Sequence, residues 1–195
     1  MKIGIHLNHL GISEEILSFS QEGEKMMWVV RAGKNASFHD KYMIQKKIFL
    51  PWEGYKTDLS RLQTIAECRS LVQKEKNASN PTSVSNWAGQ LYTFAHRIKI
   101  NDCVLIPSSG SKEYSLATIT GDYSYNEYDE DGLYHSRTIK ILVRHIPRTI
   151  FPMKMVYSLG AYRTVFQVHE EQTVIEAISK LKKQDKVTTE GRSTL

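Results

Sequence analysis

The feature that most constrains the fold is a change of hydrophobic period close to residue 100. Residues 82–99, TSVSNWAGQLYTFAHRIK, carry apolar side chains at the i, i+3, i+4, i+7 spacing of an amphipathic helix. The segments 103–109, 114–125 and 136–147 then read as strands separated by turn-forming residues. A helix followed by successive strands predicts a mixed α+β domain, built on a small curled sheet or β-barrel with flanking helices.

Shorter patterns surround this centre. Residues 28–33 and 47–52 are typical of strands, and residues 58–76 of an amphipathic helix. Asn80 and Pro81 predict the N-cap and the first residue of the next helix. The face expected to be buried on helix 58–76 consists of Leu62, Ile65, Ala66, Arg69 and Val72.

The chain of 195 residues is long enough for one domain with extensions. We expect an N-terminal extension over 1–26, a folded domain over 27–168, a C-terminal helix over 169–184 and a disordered tail over 185–195. No stretch approaches the roughly 18 apolar residues that a membrane span needs. The N-terminal residues lack the continuous apolar block of a signal peptide, so the sequence predicts a cytoplasmic protein.

Catalytic and metal-binding patterns are missing from the sequence. Cys68 and Cys103 have neither metal nor disulfide spacing, and we expect two buried, reduced thiols. There is no GxSxG, HExxH or glycine-rich phosphate loop. No acidic residue is followed two positions later by lysine, as the common metal-dependent nucleases require. The sequence therefore predicts a binding protein without catalysis, cofactor or metal.

Charge is unevenly distributed along the chain, whose net charge is +5. Residues 133–167 contain no acid, and a basic segment without counter-charges suits a polyanion such as nucleic acid. The alternative is that these side chains scatter around the domain and form no patch. The basic residues of the segment are Arg137, Lys140, Arg144, Arg148, Lys154 and Arg163.

Residues 119–137, ITGDYSYNEYDEDGLYHSR, predict a tyrosine-rich hairpin. If its turn centres on residues 129–130, Tyr125 lies opposite Tyr134. Tyr123 and Tyr125 then share one face, either inside a barrel or on the wall of a pocket. Gly121 predicts a bulge or a close backbone approach in this hairpin.

Several strings in the same order resemble one known family. The string NWAGQLYTF, a polar turn, VLIP and then ITGDY are the most specific part of this pattern. The resemblance is to the N-terminal specificity domain of Mrr-like (type IV) restriction endonucleases, which is similar to PUA/EVE-like domains. It extends over residues 27–168, and the nuclease domain of that family has no counterpart here. The matching segments are 28–33, 51–60, 85–107, 117–125 and 158–168.

The resemblance implies a PUA/EVE-like fold and a DNA-binding reader of modified bases, acting in restriction or phage defence. Such domains extrude a base into an aromatic pocket, and stacking then offsets the cost of extrusion. It also implies a separate nuclease as a partner. The residues expected at the site are Arg31 and Arg137 for phosphate or a base edge, Trp52, Tyr123 and Tyr125 as pocket walls, and Gln90 and Tyr92 as its border.

Alternatives remain at this stage. Trp52 also fits an edge-strand residue that plugs the core, whereas Arg31 favours a ligand because a buried, unpaired guanidinium is costly. An RNA-binding PUA-like module would depend on 2′-hydroxyl groups. A protein-interaction subunit of a restriction system would lack the steep salt dependence of phosphate contacts. A cryptic nuclease would depend on magnesium and on Gln45 or Lys47.

Overall fold

The computed structural model describes residues 25–77, 80–108 and 112–190, and residues 182–190 by their backbone alone. Within this part of the chain, seven strands form one sheet in the order β2-β6-β4-β3-β1-β7, and β5 also pairs with β6. β1 and β3 are parallel, and the other pairs are antiparallel. The strands are β1 (Met27–Val30), β2 (Lys47–Phe49), β3 (Cys103–Pro107), β4 (Glu113–Ile119), β5 (Ser124–Tyr125), β6 (His135–Pro147) and β7 (Val165–Val168).

Five α-helices in the described ranges cover the two faces of this sheet. α1, α2 and α3 bury residues in one hydrophobic cluster, and α4 and α5 bury residues in a second cluster. The helices are α1 (His39–Gln45), α2 (Ile65–Lys76), α3 (Pro81–Tyr92), α4 (Met153–Leu159) and α5 (Glu171–Glu190).

The central strands are apolar on both sides because the sheet is covered on both faces. In β1, Trp28 and Val30 belong to the first cluster, whereas Met27 and Val29 belong to the second. Successive side chains of a strand point to opposite faces, so an unbroken apolar run is what a doubly covered strand requires. The predicted α+β class is confirmed.

The sheet is curled but open among the described residues, and it does not close into a barrel. β6 gives the sheet its curvature. Its first residues pair with β2 and β5, and the remainder pairs with β4 through two register shifts at Tyr114–Leu116 and Leu116–Ala117. Such bulges bend a strand and increase its twist. Of the two predicted forms, curled sheet and barrel, the structure has the first.

The helix predicted over 58–76 is shorter than expected, and its predicted buried face is confirmed only in part. Residues Leu59–Arg61 form a 3₁₀ turn, and α2 begins after Thr64. Thr64 and Glu67 form a capping box, which satisfies the first free N–H groups of the helix. Val72 is buried, and Leu62 and Ile65 are partly buried against the core, as predicted. Ala66 and Arg69 are exposed instead, and Cys68 and Leu71 take their place in the core. The capping box therefore fixed the helix start that periodicity alone had placed too early.

The predicted register of the tyrosine hairpin is wrong by one residue. Tyr125 pairs with His135, not with Tyr134. The Oδ1 atom of Asp129 accepts hydrogen bonds from the N–H groups of Asp131 and Leu133, and this side-chain turn shifts the loop. The close approach predicted at Gly121 is confirmed, because a Cβ there would lie 2.1 Å from Oγ1 of Thr138.

The end of α3 departs from regular helix. Asn80 caps α3 and Pro81 is its first residue, as predicted. Residues Thr93–Arg97 then form a π-helical turn, in which Phe94 and Ala95 are buried. Short π-turns widen a helix and leave carbonyl groups for other partners.

The C-terminal helix continues to Glu190, beyond residue 184 where the sequence placed its end. Most of the expected N-terminal extension and residues 191–195 lie outside the described residues. Cys68 and Cys103 are both buried, as predicted. In the described ranges, no helix combines the length and the hydropathy that crossing a bilayer demands.

Candidate nucleic-acid interface

Three aromatic residues from separate parts of the chain meet at an open cavity of about 260 Å³. Trp52 and Tyr55 come from the loop after β2, and Trp87 comes from α3. The rings of Trp52 and Tyr55 lie 5.7 Å apart at a tilt of 52°. We call this cavity the aromatic pocket; its lining residues are Pro51, Trp52, Glu53, Tyr55, Lys76 and Trp87.

Tyr55 forms the most enclosed part of the aromatic pocket. Its side chain is fully buried, and its hydroxyl has no hydrogen-bond partner among the described residues. Burial, reinforced by the negative charge of Glu75, raises the pKa of this hydroxyl to about 12. The Nζ atom of Lys76 lies 5.6 Å from the ring centroid, at cation–π distance. The pocket therefore combines apolar rings with one positive side chain, Lys76, and one negative side chain, Glu53.

The loop 160–164, between α4 and β7, supports one wall of the pocket. The indole N–H of Trp52 donates to Oγ1 of Thr164 at 2.9 Å. The backbone N–H groups of Thr164 and Val165 donate to Oε1 of Gln90 at 2.8 and 3.0 Å. Gln90 is buried, so its side chain holds the wall from inside and does not border the open cavity.

Arg31 also supports this loop. Its Nη2 atom donates to the carbonyl oxygens of Leu159 and Ala161, both at 3.0 Å, and its Nε atom donates to the carbonyl oxygen of Arg163 at 2.9 Å. Arg31 was predicted to contact a ligand because a buried, unpaired guanidinium is costly. Here three main-chain carbonyls provide the partners, so that argument no longer applies. Its contact with nucleic acid stays a prediction.

Tyr123 connects the hairpin to the aromatic pocket through His135. The hydroxyl of Tyr123 accepts from the N–H of Leu59 at 2.9 Å and lies 2.7 Å from Nδ1 of His135. The Nε2 atom of His135 lies 2.7 Å from the carbonyl oxygen of Tyr55. A carbonyl only accepts, so Nε2 carries the proton and Nδ1 accepts from Tyr123. This chain of hydrogen bonds fixes the backbone of Tyr55.

His135 is fully buried in this arrangement. Burial lowers its pKa to about 4, although the hydrogen bond to Tyr55 and the charge of Asp58 partly oppose the change. The rings of Tyr123 and Tyr125 lie 5.9 and 5.6 Å from the imidazole. The hydroxyl of Tyr125 donates to the carbonyl oxygen of Lys56. Both tyrosines therefore support the loop that carries Tyr55, and neither lines the aromatic pocket.

Arg137 lies almost completely buried behind the π-helical turn. Its guanidinium donates to the carbonyl oxygens of Phe94 and Ala95 at 2.9 and 2.8 Å, with a longer contact of 3.5 Å to Gly121. The π-turn supplies these two carbonyls. Burial lowers the pKa of Arg137, although the charges of Asp122 and other neighbours oppose the change.

A second, wider depression of about 560 Å³ lies in front of Arg137. Its walls include Tyr123, His96 and Lys99. Tyr92 lies next to this depression, because its ring is 4.8 Å from the His96 ring and 5.7 Å from the Arg97 guanidinium. The predicted site residues therefore divide into two groups. Arg31, Trp52 and Gln90 surround the loop 160–164, while Tyr92, Tyr123, Tyr125 and Arg137 surround His96 and His135.

The acid-free segment contributes its charges to different places. Arg137 is internal, and Nζ of Lys154 pairs with Glu170 at 2.8 Å. Arg144 on β6 and Arg163 beside the aromatic pocket are exposed. The alternative of scattered side chains therefore holds for at least part of this segment.

Of the six lining residues only Trp52 was predicted at the site, and the five that were missed are Pro51, Glu53, Tyr55, Lys76 and Trp87. Trp87 follows the apolar spacing of α3, which favours a core residue, but it is only partly buried and its ring lines the cavity. The available signal for Tyr55 was the sequence itself: Tyr55 lies three residues after Trp52, in the loop that Pro51 begins. No group of three or more histidine, cysteine or acidic side chains in the described part of the chain is arranged to hold a metal.

Two solved structures share a partial likeness with this chain. One, a hypothetical protein from Leishmania major, is 13% identical, with a TM-score of 0.41 and coverage of 84% of this chain and 98% of that chain. The other is human THYN1 in complex with DNA that contains 5-methylcytosine, 13% identical, with a TM-score of 0.33 and coverage of 81% and 98%. Both TM-scores are below 0.5, so we infer neither fold nor ligand from them.

The sequence matches none of the curated proteins. A family profile does match, over residues 28–169, and its description is Domain of unknown function (DUF8426). This range contains the whole sheet except Met27, together with the aromatic pocket and the loop 160–164. The chain therefore belongs to the family described as Domain of unknown function (DUF8426).

Proposed function

We propose that this protein binds DNA and holds one extruded, modified base in the aromatic pocket. The observation that carries the proposal is the convergence of the partly exposed rings of Trp52 and Trp87 on one open cavity of about 260 Å³, which the buried Tyr55 closes from beneath. Extruding a base from a duplex costs a few kcal/mol. Stacking on aromatic side chains returns about 1–3 kcal/mol per base, so these rings are of the kind needed to offset that cost.

Charges around the pocket also support a nucleic-acid ligand. Lys76 lines the cavity and is exposed, and Lys74 lies in the same last turn of α2. Lys56 is the residue after Tyr55, and its Nζ atom lies 5.7 Å from the ring of Tyr134. Cations at the rim can bind phosphates while the rings bind the base, which separates affinity from selectivity.

The biological setting of the proposal comes from the sequence resemblance to the PUA/EVE-like specificity domain of Mrr-like restriction endonucleases. We infer a reader in restriction or phage defence that has no catalysis of its own and acts with a separate nuclease. Plaque counts on cells with and without the protein, for phages with modified and unmodified DNA, test this setting. Protection that is equal for both kinds of phage would contradict a role in reading modification.

Binding to matched duplexes is the direct test. The duplexes are unmodified or carry one 5-methylcytosine, 5-hydroxymethylcytosine or N6-methyladenine, at about 150 mM salt, where weak surface attraction is screened. We expect one modified duplex to bind more tightly than the unmodified one. Trp87→Ala should weaken that binding by about 5- to 150-fold, which corresponds to one stacked face. Tyr128→Ala is the matched control, since Tyr128 is 82% exposed on the hairpin tip.

A second variant separates stacking from support of the wall. Trp52→Phe keeps an aromatic ring but loses the N–H that donates to Thr164. It should retain most of the preference for the modified duplex, whereas Trp52→Ala should lose it. Circular dichroism checks that each variant folds.

Equal and weak binding to all four duplexes would refute a base reader. Tighter binding to the matching RNA, lost when 2′-hydroxyls are removed, would replace DNA by RNA as the ligand. Apparent binding without a steep salt dependence would indicate a protein-interaction subunit.

A further inference from the structure

Tyr162 is the most exposed aromatic residue of the described chain. Its relative exposure is 103%, and it lies in the loop 160–164. Single exposed apolar residues are common on protein surfaces, so exposure alone decides nothing. The way in which the structure holds this loop makes Tyr162 different from Tyr157 and Tyr128, which are also exposed.

The backbone on both sides of Tyr162 is fixed by Arg31. The guanidinium of Arg31 binds the carbonyls of Ala161 and Arg163, the two neighbours of Tyr162, and also that of Leu159. The N–H of Arg163 closes a tight turn around Tyr162 by donating to the carbonyl of Ala161 at 2.8 Å. An arginine with three carbonyl partners restrains the backbone of this short loop, so the loop itself loses little entropy on binding.

This loop also touches the aromatic pocket. Thr164 accepts the hydrogen bond of Trp52, a wall of the pocket, at 2.9 Å. Tyr162 is two residues before Thr164, so the two Cα atoms lie within about 7 Å of each other. Arg163, between them, is exposed and positively charged. The backbone of Tyr162 therefore lies next to a residue that supports the pocket wall, within reach of a duplex that delivers a base to the pocket.

We propose that Tyr162 is a wedge that enters the base stack where the aromatic pocket removes a base. This inference rests on the proposed function. An extruded base leaves a gap, and its former neighbours lose their stacking partners. Proteins that distort DNA often fill such a gap with an apolar or aromatic side chain. The Tyr162 ring restores stacking there, and Arg163 contacts the adjacent phosphate. In this arrangement Arg31 is a positioning residue that holds the backbone on both sides of the ring.

The test uses the full chain and a duplex with one 5-methylcytosine, and 2-aminopurine as the neighbouring base. If another of the four duplexes binds more tightly, that modification replaces 5-methylcytosine. 2-Aminopurine fluoresces when it is unstacked, so it reports what fills the gap. Tyr162→Ala should weaken duplex binding by about tenfold and raise the fluorescence of the bound complex, because the gap stays empty. Tyr162→Phe should remain within about twofold of the original protein, because its ring still stacks.

Two controls test whether the changes in binding and fluorescence are specific to a wedge at Tyr162. Tyr157→Ala removes a ring that is 73% exposed on α4 and should change neither signal. The same strand without its complement has no base-paired stack to open. Tyr162→Ala should therefore bind the single strand within about twofold of the original protein. An equal loss on single and double strands would show a general contact and overturn the wedge.

The outcomes separate this inference from the proposed function. If the unchanged protein prefers a modified duplex and Trp87→Ala loses the preference, but Tyr162→Ala behaves like the unchanged protein, only the wedge is overturned. If the unchanged protein shows no preference among the duplexes, the base reader fails and the wedge fails with it.

Discussion

The buried imidazole of His135 makes a quantitative prediction about acid stability. Its pKa is about 4 in the folded protein and 6.5 in an unfolded chain. The unfolded state therefore takes up a proton at a pH at which the folded state does not. Stability is complete above pH 6.5 and falls as the pH decreases toward 4. At about 1.4 kcal/mol per pH unit, the complete loss is about 3 kcal/mol, and about 2 kcal/mol is already lost at pH 5.

Urea unfolding at pH 8 and pH 5 measures this loss. His135→Gln should lower stability at pH 8, because it disturbs the hydrogen bonds to Tyr123 and Tyr55, and should lose about 2 kcal/mol less than the original protein between the two pH values. His169→Gln, at an exposed position, should leave the acid loss unchanged. If His135→Gln does not fold, the ring signals of His135 in an NMR titration decide. A midpoint near 6.5 in the folded protein would refute the reasoning.

Three further changes test other contacts. Tyr55→Phe should raise the free energy of unfolding by about 1 kcal/mol in urea melts, because it removes a buried hydroxyl that has no partner among the described residues. A lower free energy of unfolding would show that the hydroxyl does have a hydrogen-bond partner. Gly121→Ala should lower the melting temperature, because its Cβ would lie 2.1 Å from Oγ1 of Thr138. Adding Thr138→Ala should restore much of the lost melting temperature, and no restoration would locate the strain elsewhere. Arg137→Met should lower the free energy of unfolding by about 3 kcal/mol or more, since the carbonyls of the π-turn lose their donors while the side-chain volume is nearly kept. A decrease below about 1 kcal/mol would show that water replaces the guanidinium.

The sequence was informative where a local pattern decides the structure. Asn80 and Pro81 begin α3 as expected because the cap and the fixed proline φ act within one turn. The strands β3, β4 and β6 form where their apolar runs predict them. The same reasoning failed at the hairpin, where the side chain of Asp129 adds a turn that no alternation of polar and apolar residues reveals.

The candidate site was harder to predict because its residues meet only in the folded chain. Arg137 was predicted to contact phosphate or a base edge. Its partners are instead carbonyl groups of a π-turn that lies more than forty residues earlier in the sequence. Trp87 followed the core spacing of α3, yet α2 and the loop after β2 leave its ring at a cavity. Spacing along one element cannot show which elements will pack beside it.

The position of β1 in the sheet has a consequence for synthesis of the chain. β1 is the first described strand, and it lies between β3 and β7, with Met27 paired to both Cys103 and Val168. On the ribosome, the apolar Met27–Val30 segment therefore emerges long before either neighbour exists. Contacts so distant in sequence form slowly and leave strand edges open to aggregation. A nascent chain stopped before Val165 keeps one edge of β1 unpaired, and unpaired edges of this kind can pair with other chains.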